Sequence, residues 1–209
     1  MEQTRPVSAK PRILFSLGLA VILTACALLL MNRLIHLAAV TPSQPLPSYG
    51  QVPAFALVDQ DRAAVSDGTL RGHVWIADFI FTSCSGQCLL MTDRLAALQR
   101  AIREPALRFI SFSVDPDRDT PEVLAAYAQQ HGADARWRLL TGERAVIQRL
   151  SQDGFKLSAV PEDDSSIAHS TRLVLIDGTG EIRGYYEAGD AAAMARLRRD
   201  AARLLEGGA

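Results

Sequence analysis

Apolar residues fall into three kinds of pattern along this chain. The first is an unbroken run, Ile13 to Met31, of 19 mostly apolar residues without a charge. At 1.5 Å rise per residue such a helix reaches roughly 28 Å, close to the hydrocarbon thickness of a bilayer. The second is the short β-prone block. His73–Thr82 (HVWIADFIFT) and Arg108–Val114 (RFISFSV) suit strands covered on both faces, and Thr171–Ile176 (TRLVLI) is strand-like. The third is helical spacing: Met91, Leu95, Leu98 and Ile102, and later Met194, Leu197, Ala201 and Leu204.

Punctuation divides these blocks into elements. Phe55–Val58 and Ala63–Val65 flank Asp59–Arg62 as a small hairpin. Asp67-Gly68 and Arg71-Gly72 mark turns. Thr120-Pro121 opens a helix, with Thr as N-cap and Pro in the first turn, and Gly132 ends it. Trp137–Leu140 is a short strand. Asp177-Gly178-Thr179-Gly180 is a hairpin turn, Ile182–Glu187 returns, and Asp190 caps the last helix. Strands are predicted near 74–81, 109–114, 171–176 and 182–187, and helices over about 89–102, 121–131, 143–152 and 191–205. This order predicts an α/β fold: a central mixed sheet with helices on both faces, an N-terminal hairpin, and a C-terminal hairpin plus helix. A thioredoxin-like fold has this order.

The organisation follows. Residues 1–12 are a cytoplasmic N-terminus, 13–31 a transmembrane anchor, 32–51 an extended tether, and 52–209 one domain. Arg5, Lys10 and Arg12 precede the apolar run and only Arg33 follows closely, so the domain is placed outside the cytoplasm, on the periplasmic side. Leu23-Thr24-Ala25-Cys26 also reads as a lipobox, with lipidation at Cys26 as the alternative; against it, Ala27–Met31 continue the apolar run. Three prolines in Thr41–Gly50 favour an extended tether. Residues 41–209 carry 18 basic and 22 acidic side chains, with no basic stripe interleaved with aromatics, which speaks against nucleic acid. No repeat at solenoid periods is present.

The chemistry concentrates in Cys84-Ser85-Gly86-Gln87-Cys88, a C-x-x-x-C motif between a buried strand and a helix. Residues four apart share a helix face, and unpaired N–H groups at a helix start favour thiolate over thiol. Thiolates are nucleophiles and soft ligands that select copper(I), zinc or iron–sulfur centres. The plainer readings are a simple disulfide of an exported protein, or Cys88 as a core residue on the Met91 stripe. A stapling disulfide normally closes a long loop, and this one closes only a few residues. His169 stands just before Thr171–Ile176, after the polar loop PEDDSSIA; a lone histidine is most often a surface residue. His36, His73 and His131 have bland readings. The loop Asp115-Pro116-Asp117-Arg118-Asp119 follows the second buried strand, where open α/β sheets place their sites. Asp115 and Asp119 are candidates to face the cysteine loop and orient a hydrogen bond there.

Taken together, FIFTSCSGQC, SVDPDRDTP, Leu140-Thr141-Gly142 and Ala168-His169-Ser170 resemble the Sco/SenC family, copper chaperones of cytochrome c oxidase assembly. The resemblance covers about residues 50–205. It implies a thioredoxin-like fold and a copper site at Cys84, Cys88 and His169. It also implies delivery of copper to the dinuclear centre of oxidase subunit II, or to another copper-receiving protein, or reduction of the client's cysteines beforehand. Family members usually carry proline after each cysteine; Ser85 and Leu89 take those places here. A second function fits the same pair: a membrane-anchored thiol–disulfide reductase in which Cys84 attacks and Cys88 resolves, without need of His169. A peroxidase of the peroxiredoxin type ranks below both, because no separate peroxidatic cysteine with its usual partners is present.

The topology is directly testable. An alkaline phosphatase fusion after residue 45 should be active and one before residue 12 inactive; the reverse pattern contradicts export. Palmitate labelling lost in Cys26→Ser would select the lipoprotein form.

Overall fold

The computed structural model describes residues 22–33, 45–84, 86–157 and 171–207. The chain divides into two compact units, one through Pro45 and one from Leu46 onward. In the first, residues 22–33 form helix α1. The rest of the expected anchor, residues 13–21, lies outside the described residues. Among the described residues no helix is long and apolar enough to cross a membrane.

The second unit is a seven-stranded mixed sheet. Its strands are β1 (Ala56–Asp59), β2 (Ala64–Ser66), β3 (Val74–Ile80), β4 (Leu107–Ser113), β5 (Trp137–Thr141), β6 (Arg172–Ile176) and β7 (Ile182–Glu187), in the order β2-β1-β5-β4-β3-β6-β7. Strands β3, β4 and β5 run parallel; β1, β6 and β7 run against their neighbours. All seven residues of β3 are buried, which is why its sequence lacks an alternating pattern.

Helices cover both faces. The even-numbered β3 residues Val74, Ile76 and Ile80 pack with α3 (Gln87–Ala101), α4 (Pro121–Gln130) and α6 (Ala191–Glu206) through Met91, Leu95, Leu124 and Leu197. The odd-numbered residues Trp75, Ala77 and Phe79 face the other side. There Phe155 is fully enclosed, its ring 5.2 Å from Phe79 and 5.6 Å from Phe112. Burying a side chain of that size contributes about 1.5–3 kcal/mol.

The fold agrees with the expectation, with two local corrections. Asp67–Leu70, read as a turn, is a short helix, α2. Ser66 caps it by accepting from the Thr69 N–H, and Thr69 Oγ1 accepts in return from the Ser66 N–H. The single helix expected over 143–152 is instead α5 (Arg144–Arg149), widening into a π-helical turn at Leu150–Gly154. That turn brings Leu150 and Phe155 onto the sheet, whereas the sequence pattern only marked the stop at Gly154.

Topology gives the domain two poles. At one lie the carboxyl ends of β3, β4 and β5 and the start of β6, because Val174 pairs with Ala77 and Ile176 with Trp75. At the other lie the starts of β3, β4 and β5 and the β6–β7 turn, whose Gly178 carbonyl accepts from the Gly72 N–H.

Candidate metal and thiol site

The cysteines occupy the first of these poles. β3 ends at Ile80, and the loop that follows turns sharply enough for the Cys84 N–H to donate to the Phe81 carbonyl at 3.2 Å. Helix α3 begins three residues later with Gly86 at its N-cap and no side-chain cap. The opening N–H groups of a helix need an acceptor. Here the Gly86, Gln87 and Cys88 N–H groups turn to the Cys84 sulfur, which also shares a hydrogen bond with the Cys88 thiol. Both cysteines are free thiols; Cys84 is partly exposed and Cys88 buried.

This arrangement makes the two sulfurs unequal. Burial pushes the Cys84 thiol up, but the donors around it more than offset this and hold it below the ordinary thiol range. Cys88 is pushed up to about 12, first by burial and then by the Cys84 sulfur and the charge of Asp78, against a lowering hydrogen bond at Phe81. The pair therefore holds a thiolate at Cys84 and a proton at Cys88 over a wide pH range.

Beneath Cys88 lies an acid that sequence reasoning passed over. Asp78, on the α3 face of β3, is fully buried, and neither carboxyl oxygen has a hydrogen-bond partner of ordinary geometry. Burial pushes it up to about 7, partly opposed by the neighbouring Ser111 hydroxyl, its partner in the β3–β4 register. Tyr127, pushed up to about 12 by burial, shares a 2.8 Å hydrogen bond with Thr92 and feels the charges of Asp78 and Cys88. The available signal was one acid inside the otherwise apolar run HVWIADFIFT.

The Asp loop divides its labour. Asp119 is buried and accepts from the Thr82 N–H at 3.1 Å, from the Thr82 hydroxyl at 2.5 Å and from the Ser113 hydroxyl at 2.5 Å. It thus anchors the cysteine loop two residues before Cys84. Asp115, also buried, pairs with Arg118 at 3.5 Å and Arg144 at 3.6 Å, and stabilises its own loop. Thr120 caps α4, with Pro121 in its first turn, as the sequence implied. Leu89 and Leu90 stand exposed beside Cys88, and Met91 is core.

His169 and Ser85 lie outside the described residues. The strand that follows His169, β6, begins at the cysteine pole, beside the end of β3. Among the described residues, no group of three or more His, Cys, Asp or Glu side chains is placed to hold a metal ion.

Comparison with known proteins now decides the family. The SCO1/SenC profile matches residues 44–205. The chain belongs to the SCO1/SenC family. A SCO1/SenC family lipoprotein of Bacillus anthracis is 34% identical, with a TM-score of 0.69 over 78% of this chain and 98% of its own. BsSco, a Sco-family cytochrome c oxidase assembly protein with a disulfide switch, is 28% identical, with a TM-score of 0.69 over 78% of this chain and 98% of its own. Copper-bound ScoI of Bradyrhizobium japonicum is 26% identical, with a TM-score of 0.59 over 72% of this chain and 99% of its own. These likenesses bear out the Sco/SenC resemblance and the thioredoxin-like α/β fold.

Two measurements follow from the site. Iodoacetamide should alkylate Cys84 with a midpoint below the ~8.5 of a free thiol, while Cys88 stays protected at pH 8 until the protein unfolds. A peptide map in which Cys88 reacts first would contradict the asymmetry. Asp78 sets a pH dependence of stability. An unfolded aspartate titrates near ~3.9, and the folded one at about 7. Between those values the unfolded chain has released a proton that the native state retains. The Asp78 contribution therefore falls as pH rises from about 4 to about 7 and is level above. Asp78→Asn removes that slope. In urea titrations its advantage over wild type should grow between pH 5 and pH 8, with a ceiling of roughly 4 kcal/mol, reduced by the cost of burying the amide. An advantage that shrinks with pH would overturn the assignment.

Proposed function

We propose that this protein is a copper(I) metallochaperone that holds the ion between Cys84, Cys88 and His169 and delivers it to the dinuclear copper site of cytochrome c oxidase subunit II, or prepares that site. The observation that carries the reading is the thiol pair at the start of α3, with three backbone N–H groups turned to the Cys84 sulfur. Two adjacent soft sulfurs in a partly exposed loop suit a soft monovalent ion. Exchange between such sites is rapid when the ligands are few and reachable from outside. His169 is two residues before Thr171, a span of at most roughly 7 Å, and the strand that follows starts at the cysteine pole. The copper-bound Bradyrhizobium relative and the oxidase-assembly role of BsSco support the same reading.

The protein's own part is to manage protons and geometry. Cys84 meets the incoming ion as a thiolate. Cys88 surrenders its proton as it joins, and Asp119 keeps the loop in register through Thr82. The lipoprotein relative from Bacillus anthracis supports export. We place the domain on the extracytoplasmic side, held by residues 13–31 as a single-pass anchor, with lipidation at Cys26 as the alternative.

The inequality of the thiols also favours a second reading, thiol–disulfide reduction. The Cys84 thiolate attacks a partner disulfide and expels one partner thiolate. Cys88, once deprotonated, attacks the Cys84 sulfur and releases the second partner thiolate. Two electrons pass to the partner, and Cys84 and Cys88 end as a disulfide.

Copper(I) titration of the reduced full-length protein separates the two. Cys84→Ser and Cys88→Ser should abolish tight binding, and His169→Ala should weaken it by tenfold or more. Unchanged affinity in His169→Ala, with disulfide reduction lost in Cys84→Ser, selects the reductase. The sign of the pH effect is fixed by Cys88. Between the depressed Cys84 pKa and about 12, binding expels about one proton, so apparent affinity should rise about tenfold per pH unit. A pH-independent affinity contradicts the two-thiolate site.

A further inference from the structure

The pole opposite the cysteines carries a cluster of arginines that the copper chemistry does not use. A cavity of about 620 Å³ opens there between the end of α3 and the starts of β4 and β5, lined by Arg100, Arg103, Arg108, Arg136 and Arg138. Two of these charges are compensated: Arg136 by Asp134 at 2.8 Å, and Arg138 by the buried Asp59. Arg136 also donates to the Gln99 carbonyl at 2.8 Å and the Ile102 carbonyl at 2.5 Å, which fixes the end of α3 as one wall. Among the described residues, Arg108 donates to the carbonyls of Pro105 and Leu107, which leaves its charge in place. Among the described residues, the exposed side chains of Arg100 and Arg103 have no ion-pair or hydrogen-bond partner. Exposed Arg198 and Arg199 of α6 lie round the same 102–104 corner, across a second cavity that also holds Glu104 and Glu206. A mildly acidic domain thus concentrates uncompensated cations at one end. They are guanidinium groups, which bind phosphate oxygens in pairs; Lys10 and Lys156 are the chain's two lysines.

The chain joins the domain at this same pole. The Tyr49 N–H donates to the Ile182 carbonyl, the Val52 N–H to the Gly180 carbonyl, and Gln51 bridges Glu181, all at the start of β7. At about 4.8 Å per strand, β7 lies roughly 15–20 Å across the sheet from the cavity between β4 and β5. We infer that the arginine-lined pole docks on the anionic phospholipid headgroups of the bilayer to which the chain is tethered. This rests on the anchored reading given above. In the anchored reading, the 13 residue steps from Arg33 to Leu46 reach at most roughly 45 Å, which confines this pole to the neighbourhood of the bilayer, where the charges act within a Debye length of about 8–10 Å. An acidic protein would satisfy the same charges, but nothing directs it to the pole where the tether arrives. Docking turns the opposite pole outward. β3 alone spans roughly 20 Å, so Cys84 and Cys88 are presented at least that far above the headgroups, where a client's metal site must meet them.

The test uses the full chain in nanodiscs of phosphatidylcholine alone or with 30% phosphatidylglycerol, doped with a spin-labelled lipid. In the anionic discs, amide signals of Arg103, Glu104, Ala106 and residues 134–136 should broaden, and those of 82–84 and 86–88 should not. Broadening should be weak in the zwitterionic discs and vanish at high salt. Arg100→Glu/Arg103→Glu should reduce it about tenfold in the anionic discs while copper(I) binding is unchanged. Equal broadening in both lipids, or no effect of the double variant, overturns the inference. So does a response of the Arg100 and Arg103 signals to added poly-glutamate in place of lipid, which assigns the cavity to an acidic protein. If the chain enters neither disc, the anchored reading falls and docking falls with it; insertion without docking leaves the anchor standing.

Discussion

The backbone N–H groups that open α3 turn to the Cys84 sulfur, and the rest of the site is arranged around that approach. A helix start without a side-chain cap leaves donors unsatisfied, and Gly86 supplies no cap here. The sulfur fills that role, which draws charge onto Cys84 and leaves the proton on Cys88. The contact is held from both sides. β3, buried along its whole length, fixes where the loop begins, and Asp119 ties Thr82 to the end of β4. Replacing the hydroxyl or carboxylate in that tie would leave the cysteines in the fold but free the loop that presents them.

Asp78 gives the site a second character. A buried carboxyl at the centre of a folded domain is costly, and among the described residues neither of its oxygens has a hydrogen-bond partner of ordinary geometry. It lies where its charge opposes thiolate formation at Cys88 and raises Tyr127. The pole that presents the sulfurs thus also stores protons beneath them. In the proposed copper cycle, that suits a pair that passes from a metal-free state with one proton on Cys88 to a fully deprotonated one.

Much of this was legible in the chain. The long apolar blocks and helical stripes located β3, β4, β6, α3, α4 and α6, because tertiary burial and local periodicity agree there. The strand–Cys–helix junction and the family motifs singled out Cys84 and Cys88. Contacts between residues distant in sequence were not legible. Asp119 reads as a turn residue until Thr82, 37 positions away, is seen to donate to it. Asp78 reads as a lapse in a strand until its face is known. The arginine pole is assembled from α3, β4 and β5 and leaves no run of charge in the sequence. The π-helical turn after α5 depends on the packing of Phe155, which no local rule encodes.

The central claim is that two sulfurs and one imidazole hold a single copper ion. X-ray absorption on the copper(I)-loaded full-length protein tests it most directly. The account predicts a first shell of two sulfur and one nitrogen scatterers, with the nitrogen lost in His169→Ala and a sulfur lost in Cys88→Ser. A sulfur-only shell that His169→Ala leaves unchanged, or copper that survives Cys88→Ser with the same sulfur count, would contradict it.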